Sequence, residues 1–274
     1  MDSKTLAFIG GGNMASAIIG GLLIKAGRPA NTILVVEPME AQRARLQAEF
    51  AGLRVQAAAD AGLAEAALVV WAVKPQLFAE AAAPCAAHVS QALQLSVMAG
   101  IRSATIAKAS GAARVVRAMP NTPALIGQGM AGLFANAAVS AADRDLVEAV
   151  LAPTGRTLWV DAEADLDAVT ALSGSGPAYF FYVVEAMTAA GKQMGLSEAQ
   201  GRELALATCA GAAALGLQSS EPPSVLRERV TSKGGTTYAA ISSLQADGVG
   251  EAIQRAVLAA QQRAQELGNE FAAG

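Results

Sequence analysis

Along the first 160 residues, short runs of branched aliphatic residues alternate with longer alanine-rich stretches whose apolar positions recur at helical spacing. Residues 6–9, 33–36, 68–73, 95–97, 114–118 and 158–160 read as strands. Strands separated by helices need crossover connections, so the pattern predicts a parallel, doubly wound sheet of the Rossmann type in residues 1–160. After Asp161 the strand signal stops. Residues 161–274 read as helices broken by Gly and Pro at 174–177, 222–223 and 234–235. The expected architecture is an N-terminal Rossmann domain followed by an all-helical domain.

Two of the later helical stretches are apolar nearly all round. Residues 178–194 carry only Glu185 and Lys192 as charges, and 205–217 carry none. Such helices need cover on every face, and a short helical domain cannot surround both, so the pattern predicts a homodimer whose second copy covers them.

Composition narrows the chemistry. Apolar residues make up 53% of the chain and charged residues 16%, which excludes intrinsic disorder. The net charge of −3, without any block of like charges, does not suit nucleic acid or an acidic membrane surface. Cys85, Cys209 and the single His88 have no metal-ligand spacing, so no metal is expected, and His88 reads as a surface or structural residue. The start of the chain is too short and polar for a signal peptide, and no continuous apolar run reaches the ~20 residues of a membrane helix. A cytoplasmic enzyme is expected.

The first chemical motif follows the first strand. Ile9 leads into Gly10-Gly11-Gly12-Asn13-Met14-Ala15, and a helical run comes next. Gly10 permits a tight turn, Gly12 lets backbone N–H groups approach a pyrophosphate, and Ala15 stands where helix and strand pack closely. Glu37 closes the second strand at about the spacing of a ribose ligand. Its charge favours NADH and disfavours NADPH unless Arg43 or Arg45 offsets it. Ala72-Val73-Lys74-Pro75 and Met119-Pro120-Asn121-Thr122-Pro123 each end a strand at the carboxyl edge, where ligands of such sheets collect. Ser173-Gly174-Ser175-Gly176-Pro177 and the segment from Thr231 to Thr237 each precede a helix, and each is a cap or an anion site.

In this order, these segments resemble pyrroline-5-carboxylate reductases over the whole chain. The resemblance implies reduction of the cyclic imine L-1-pyrroline-5-carboxylate to L-proline with NADPH or NADH, by a homodimer and often a ring of dimers. It places the coenzyme at Ile9, Gly10, Gly11, Gly12, Asn13 and Met14, at Ala72, Val73, Lys74 and Pro75, and at Val97, Met98 and Ala99. Pro120 and Asn121 would border the nicotinamide. Substrate would meet Ser232, Gly234, Gly235, Thr236 and Thr237, with Glu163 a further candidate. Lys233 stands where the family usually has proline, and Ala59 replaces an asparagine near the adenosine ribose.

A protonated imine accepts hydride without a strong acid, so the expected task is orientation. The substrate carboxylate would rest on the N–H groups of residues 234–236, and Thr237 would hydrogen-bond the imine nitrogen and help relay its proton. Two rivals remain open at this point: a β-hydroxyacid-type dehydrogenase using Lys192, and a dinucleotide-binding regulator without turnover.

Overall fold

The computed structural model describes residues 4–273. Its strands are β1 (Thr5–Ile9), β2 (Ile33–Val36), β3 (Arg54–Gln56), β4 (Ala66–Trp71), β5 (Leu93–Ser96), β6 (Val115–Met119), β7 (Gly129–Ala135) and β8 (Gly155–Trp159). They form one sheet in the order β3-β2-β1-β4-β5-β6-β7-β8. Pairing is parallel from β3 through β6, β7 runs antiparallel to β6, and β8 is parallel to β7. The order reverses beside β1, so the crevice where ligands of open sheets bind lies at its carboxyl end.

Strands β3 and β7 fall outside the runs predicted from the sequence. Three half-buried residues at the sheet edge, Arg54-Val55-Gln56, are too few to show a period. In β7, glycine hides the signal, and packing requires it. A Cβ on Gly132 would stand 2.6 Å from Val169 Cγ1, and one on Gly129 2.9 Å from the Thr154 carbonyl oxygen. The run predicted at 68–73 ends at Trp71, leaving Ala72 and Val73 in the turn beyond the strand.

Helices α1 (Asn13–Gly20), α2 (Glu40–Glu49), α3 (Phe78–Ala82), α4 (Ala86–Val89), α5 (Ser103–Ser110), α6 (Ala141–Leu151) and α7 (Asp165–Val169) accompany the sheet. Alternation along the strands creates two cores: Leu6 and Phe8 enter one, Ala7 and Ile9 the other. Each large aliphatic or aromatic side chain hidden this way contributes about 1.5–3 kcal/mol relative to exposure. Trp71 is fully buried, and its indole N–H donates to Gln94 Oε1 at 2.8 Å.

The chain forms two compact units, one running to Gly174 and including Ala260 onward, the other Ser175–Ala259. The strand signal ends near residue 160, and the difference lies in residues 161–174. Val169 packs on Gly132, and Asp167 pairs with Arg102 at 2.9 Å, so this segment belongs to the sheet unit. The end of the chain does too, since Phe271 joins the second core.

The second unit contains α8 (Gly176–Gln193), α9 (Glu198–Gln218), α10 (Pro223–Arg229), α11 (Thr236–Ala246) and the first part of α12 (Val249–Ala273). Helices α8 and α9 make a close hairpin because small residues face each other. A Cβ on Gly201 would lie 3.2 Å from the Thr188 carbonyl oxygen. Gly195 turns the chain at φ +93°, and Ser197 with Gln200 forms a capping box that starts α9. The opposite faces are bare: Phe181 is 58% exposed, Tyr182 74% and Leu217 71%.

Candidate active site

Gly10 sits at φ +94°, and its N–H donates to the Val36 carbonyl at 2.8 Å. A Cβ there would meet the Ala72 carbonyl oxygen at 2.8 Å, so this turn accepts only glycine. A Cβ on Gly11 would strike Leu46 Cδ1 at 2.5 Å. Gly12 is exposed, caps α1 without a side-chain partner, and has open space where a Cβ would stand. The N–H groups of Asn13, Met14 and Ala15 therefore have no helical acceptor and face an uncapped helix start. With no acidic residue in that first turn, the electropositive helix end fits a pyrophosphate.

Glu37, the candidate ribose ligand, follows the end of β2 and reaches back to the glycine turn. The residue is 8% exposed, its carboxylate accepting from the Gly11 N–H at 2.8 Å and from the Met39 N–H at 2.9 Å. Gln42 Nε2 donates to the Gly11 carbonyl, and Arg43 donates to the Glu37 carbonyl at 2.9 Å. Glu37 thus braces the glycine turn against the end of β2.

The other coenzyme candidates gather at the same carboxyl edge. The Ala72 N–H donates to the Ile9 carbonyl at 2.9 Å, and the Val97 N–H to the Trp71 carbonyl at 3.1 Å. Val73 Cγ1 lies 2.9 Å from where a Cβ on Gly10 would be, and Lys74 is exposed ahead of the short turn Pro75–Leu77. Met98 is buried, its N–H donating to Ser96 Oγ at 3.2 Å, and Ala99 is half-buried beside it. After β6, Pro120 is buried, and the Asn121 amide is engaged within the protein, with Ser173 and with the Met130 N–H.

Behind this edge lies an ion network that motif reading missed. Arg117, in β6, is 4% exposed and pairs with Glu163 Oε1 at 3.0 Å. The other Glu163 oxygen accepts from the Ser103 hydroxyl at 2.8 Å, and the Ser103 N–H donates to Oε1 at 2.6 Å. Glu163 therefore sits at the start of α5, where a negative charge is favoured. Burial works against its charge, yet the Ser103 donors and the Arg117 guanidinium hold its carboxyl below the usual range. Burial lowers the Arg117 pKa, and Glu163 offsets part of that shift. The signal available was a charged residue inside an otherwise apolar strand, Val115-Val116-Arg117-Ala118.

The proposed substrate loop belongs to the second unit, apart in sequence from the residues above. Gly234 lies at φ +76°, and the Gly235 N–H donates to the Ser232 carbonyl at 3.0 Å. Gly235 caps α11 without a side-chain bond, so the N–H groups of Thr236, Thr237 and Tyr238 open the helix without intrahelical acceptors. Thr237 is half-buried, whereas Ser232 and Lys233 are exposed. Lys192 is an exposed residue paired with Glu198 at 3.0 Å across the α8–α9 turn. Burial pushes the Cys85 thiol up to about 11. Among the described residues, no group of His, Cys, Asp and Glu could hold a metal, and no helix is long and apolar enough to cross a membrane.

Comparison with known proteins joins these parts. Residues 163–267 match the family described as pyrroline-5-carboxylate reductase dimerisation, and residues 5–100 match NADP oxidoreductase coenzyme F420-dependent. The chain is 47% identical to a pyrroline-5-carboxylate reductase of Pseudomonas aeruginosa, covering 99% of each. It is 44% identical to one of Haemophilus influenzae, over 99% of this chain and 100% of that protein. Among solved structures, a pyrroline-5-carboxylate reductase of Coxiella burnetii superposes with a TM-score of 0.90 at 36% identity, over 97% of this chain and 99% of that one. A Plasmodium falciparum pyrroline carboxylate reductase with NADP bound gives 0.86 at 26% identity, over 98% and 99%. Likeness at this level spans both the glycine turn and the helical unit, and the chain belongs to the pyrroline-5-carboxylate reductase family.

Proposed function

We propose that this protein reduces L-1-pyrroline-5-carboxylate to L-proline with NADPH or NADH, the last step of proline biosynthesis. The observation that carries the reading is a pair of uncapped helix starts, each opening from a glycine turn: α1 after Gly12 and α11 after Gly235. The first suits a pyrophosphate and the second a carboxylate.

When bound, the coenzyme supplies hydride. The chain's own groups bind and orient. Asn13, Met14 and Ala15 offer N–H groups to the pyrophosphate, while Ile9, Gly10, Gly11 and Gly12 shape the approach. Ala72 to Pro75, Met98 and Ala99 border the rest of the dinucleotide, and Pro120 faces its reactive end. With the Gly235 N–H already committed to Ser232, the substrate carboxylate falls to the Thr236 and Thr237 N–H groups and the Ser232 hydroxyl. Gly234 and Gly235 serve by letting the turn close. The Thr237 hydroxyl hydrogen-bonds the imine nitrogen, so that as C=N becomes CH–NH the nitrogen keeps a partner and a route for its proton. Glu163, with both oxygens engaged by Ser103 and Arg117, braces the sheet edge instead of holding substrate. The Glu37 carboxylate, turned onto Gly11 and Met39, does not by itself select against a 2′-phosphate.

A second copy covers the bare faces of α8 and α9, giving a homodimer and, following the family resemblance, a ring of dimers; the cytoplasm is the expected compartment. The test is oxidation of NADPH and of NADH by purified protein with L-1-pyrroline-5-carboxylate, with a small hydroxyacid as control. Imine-dependent oxidation supports the proposal. Turnover of the hydroxyacid alone would favour a dehydrogenase, and no turnover at all a regulator.

A further inference from the structure

The turn after β6 is held by a closed ring of hydrogen bonds. Asn121 Nδ2 donates to Ser173 Oγ at 3.1 Å, and its contact with the Ser173 carbonyl is 3.3 Å. The Ser173 hydroxyl donates to the Met130 carbonyl at 3.4 Å. The Met130 N–H donates to Asn121 Oδ1 at 2.9 Å. Because a backbone N–H can only donate, Oδ1 must face Met130, which fixes Nδ2 toward Ser173. Three segments distant in sequence meet here: the second residue after β6, the second residue of β7, and the π-helical turn Thr170–Gly174. Their contact is close. A Cβ on Gly174 would lie 2.6 Å from Met119 Cε, so glycine is what allows this approach.

We propose that Asn121 is a positioning residue for hydride transfer and not a coenzyme ligand: with Ser173 and Met130 it fixes the turn that follows β6. The inference rests on the reductase reading given above. The side chain has one acceptor and two donor hydrogens, and the ring occupies both ends of the amide. What the ring supplies is a wall of Met119 and Pro120 already in place when the reactants arrive, so that no ordering of this turn is required at the moment of reaction. A displacement of about 1 Å at such a wall costs up to about 100-fold in rate, while the pyrophosphate site at α1 stays as it is.

The experiment compares Asn121→Ala, Asn121→Asp, Ser173→Ala and the Asn121→Ala/Ser173→Ala double variant in the full-length protein. Expected results are a fall in kcat of about tenfold or more in Asn121→Ala, with the Kd of NADP⁺ within about twofold of the parent. Losses should be less than additive in the double variant. The Met130 amide should exchange hydrogen faster in both single alanine variants, a readout that needs no turnover. In Asn121→Asp, the carboxylate keeps the acceptor for Met130 but turns a lone pair on Ser173. Protonation restores a donor, so its kcat relative to the parent should stay low near neutral pH and climb only as pH falls toward about 4, the ordinary range of an aspartate carboxyl. Loss of NADP⁺ affinity in step with kcat would make Asn121 a ligand and overturn the proposal, as would unchanged kcat in an enzyme whose parent is active. A parent without imine-dependent oxidation would overturn the reductase reading and the positioning role together. Should Asn121→Ala fail to fold, Ser173→Ala, which removes one hydroxyl, decides by the same measurements.

Discussion

The two compact units solve burial differently. In the sheet unit, both faces are covered by the chain itself, and Phe8, Trp71, Leu93 and Val116 are fully buried. In the helical unit, the α8–α9 hairpin closes only along its inner seam, at Gly191, Gly201 and Ala205, and leaves Phe180, Phe181, Tyr182 and Leu215 open. One unit carries a complete core, and the other is half of one. The difference explains where each kind of specificity resides. A self-covered sheet can hold its edge turns in fixed geometry by itself, whereas an open apolar helix pair suits association with another surface.

The sharpest way to break the contrast is Phe181→Asp. It should weaken self-association by about 1000-fold, read by sedimentation, because a charge replaces an apolar anchor. Coenzyme affinity at the sheet unit should change far less. The converse is Gly10→Ala, which forces a Cβ into the Ala72 carbonyl at φ +94°. Titration should show NADPH affinity reduced by about 100-fold with the oligomer intact. Glu163→Gln tests the brace within the sheet unit. Removing the charge that pairs with buried Arg117 should cost about 2 kcal/mol, seen as a lower Tm.

The pH dependence of that brace has a definite sign. The folded Glu163 carboxyl is held below its ordinary value of 4.5, so its contribution to stability is complete above that value and disappears as pH falls through the folded one. The parent should therefore lose Tm on acidification more steeply than Glu163→Gln, and parallel Tm profiles would show that the pair does not matter. The smallest expected effect is in the helical unit. Thr237→Ala should lower kcat/KM about tenfold while NADPH affinity is kept, since one oriented hydrogen bond is lost.

Legibility in the sequence followed how local each cause is. The glycine turn was readable because backbone sterics and an uncapped helix start depend on adjacent residues, Gly10 to Ala15. The bare helices were readable because their lack of charge is a property of single segments. Strand β7 was hidden, since Gly129 and Gly132 are demanded by Thr154 and Val169, contacts no window contains. Glu37 could be placed at a strand end, but not turned toward Gly11. Arg117 was visible as an odd charge in a strand, though not its partner 46 positions away.

The sequence by itself determined six of the eight strands of the sheet, the glycine turn from Gly10 to Ala15, the apolar helix faces that call for a second copy, and the family. Tertiary structure alone decided that Glu37 braces the turn, that Glu163 and Arg117 lock the sheet edge, and that Asn121 closes a ring with Ser173 and Met130. Periodicity and turn chemistry are written in neighbouring residues. A side-chain hydrogen bond needs its partner within about 3 Å, and only the folded chain brings residues 52 positions apart to that distance.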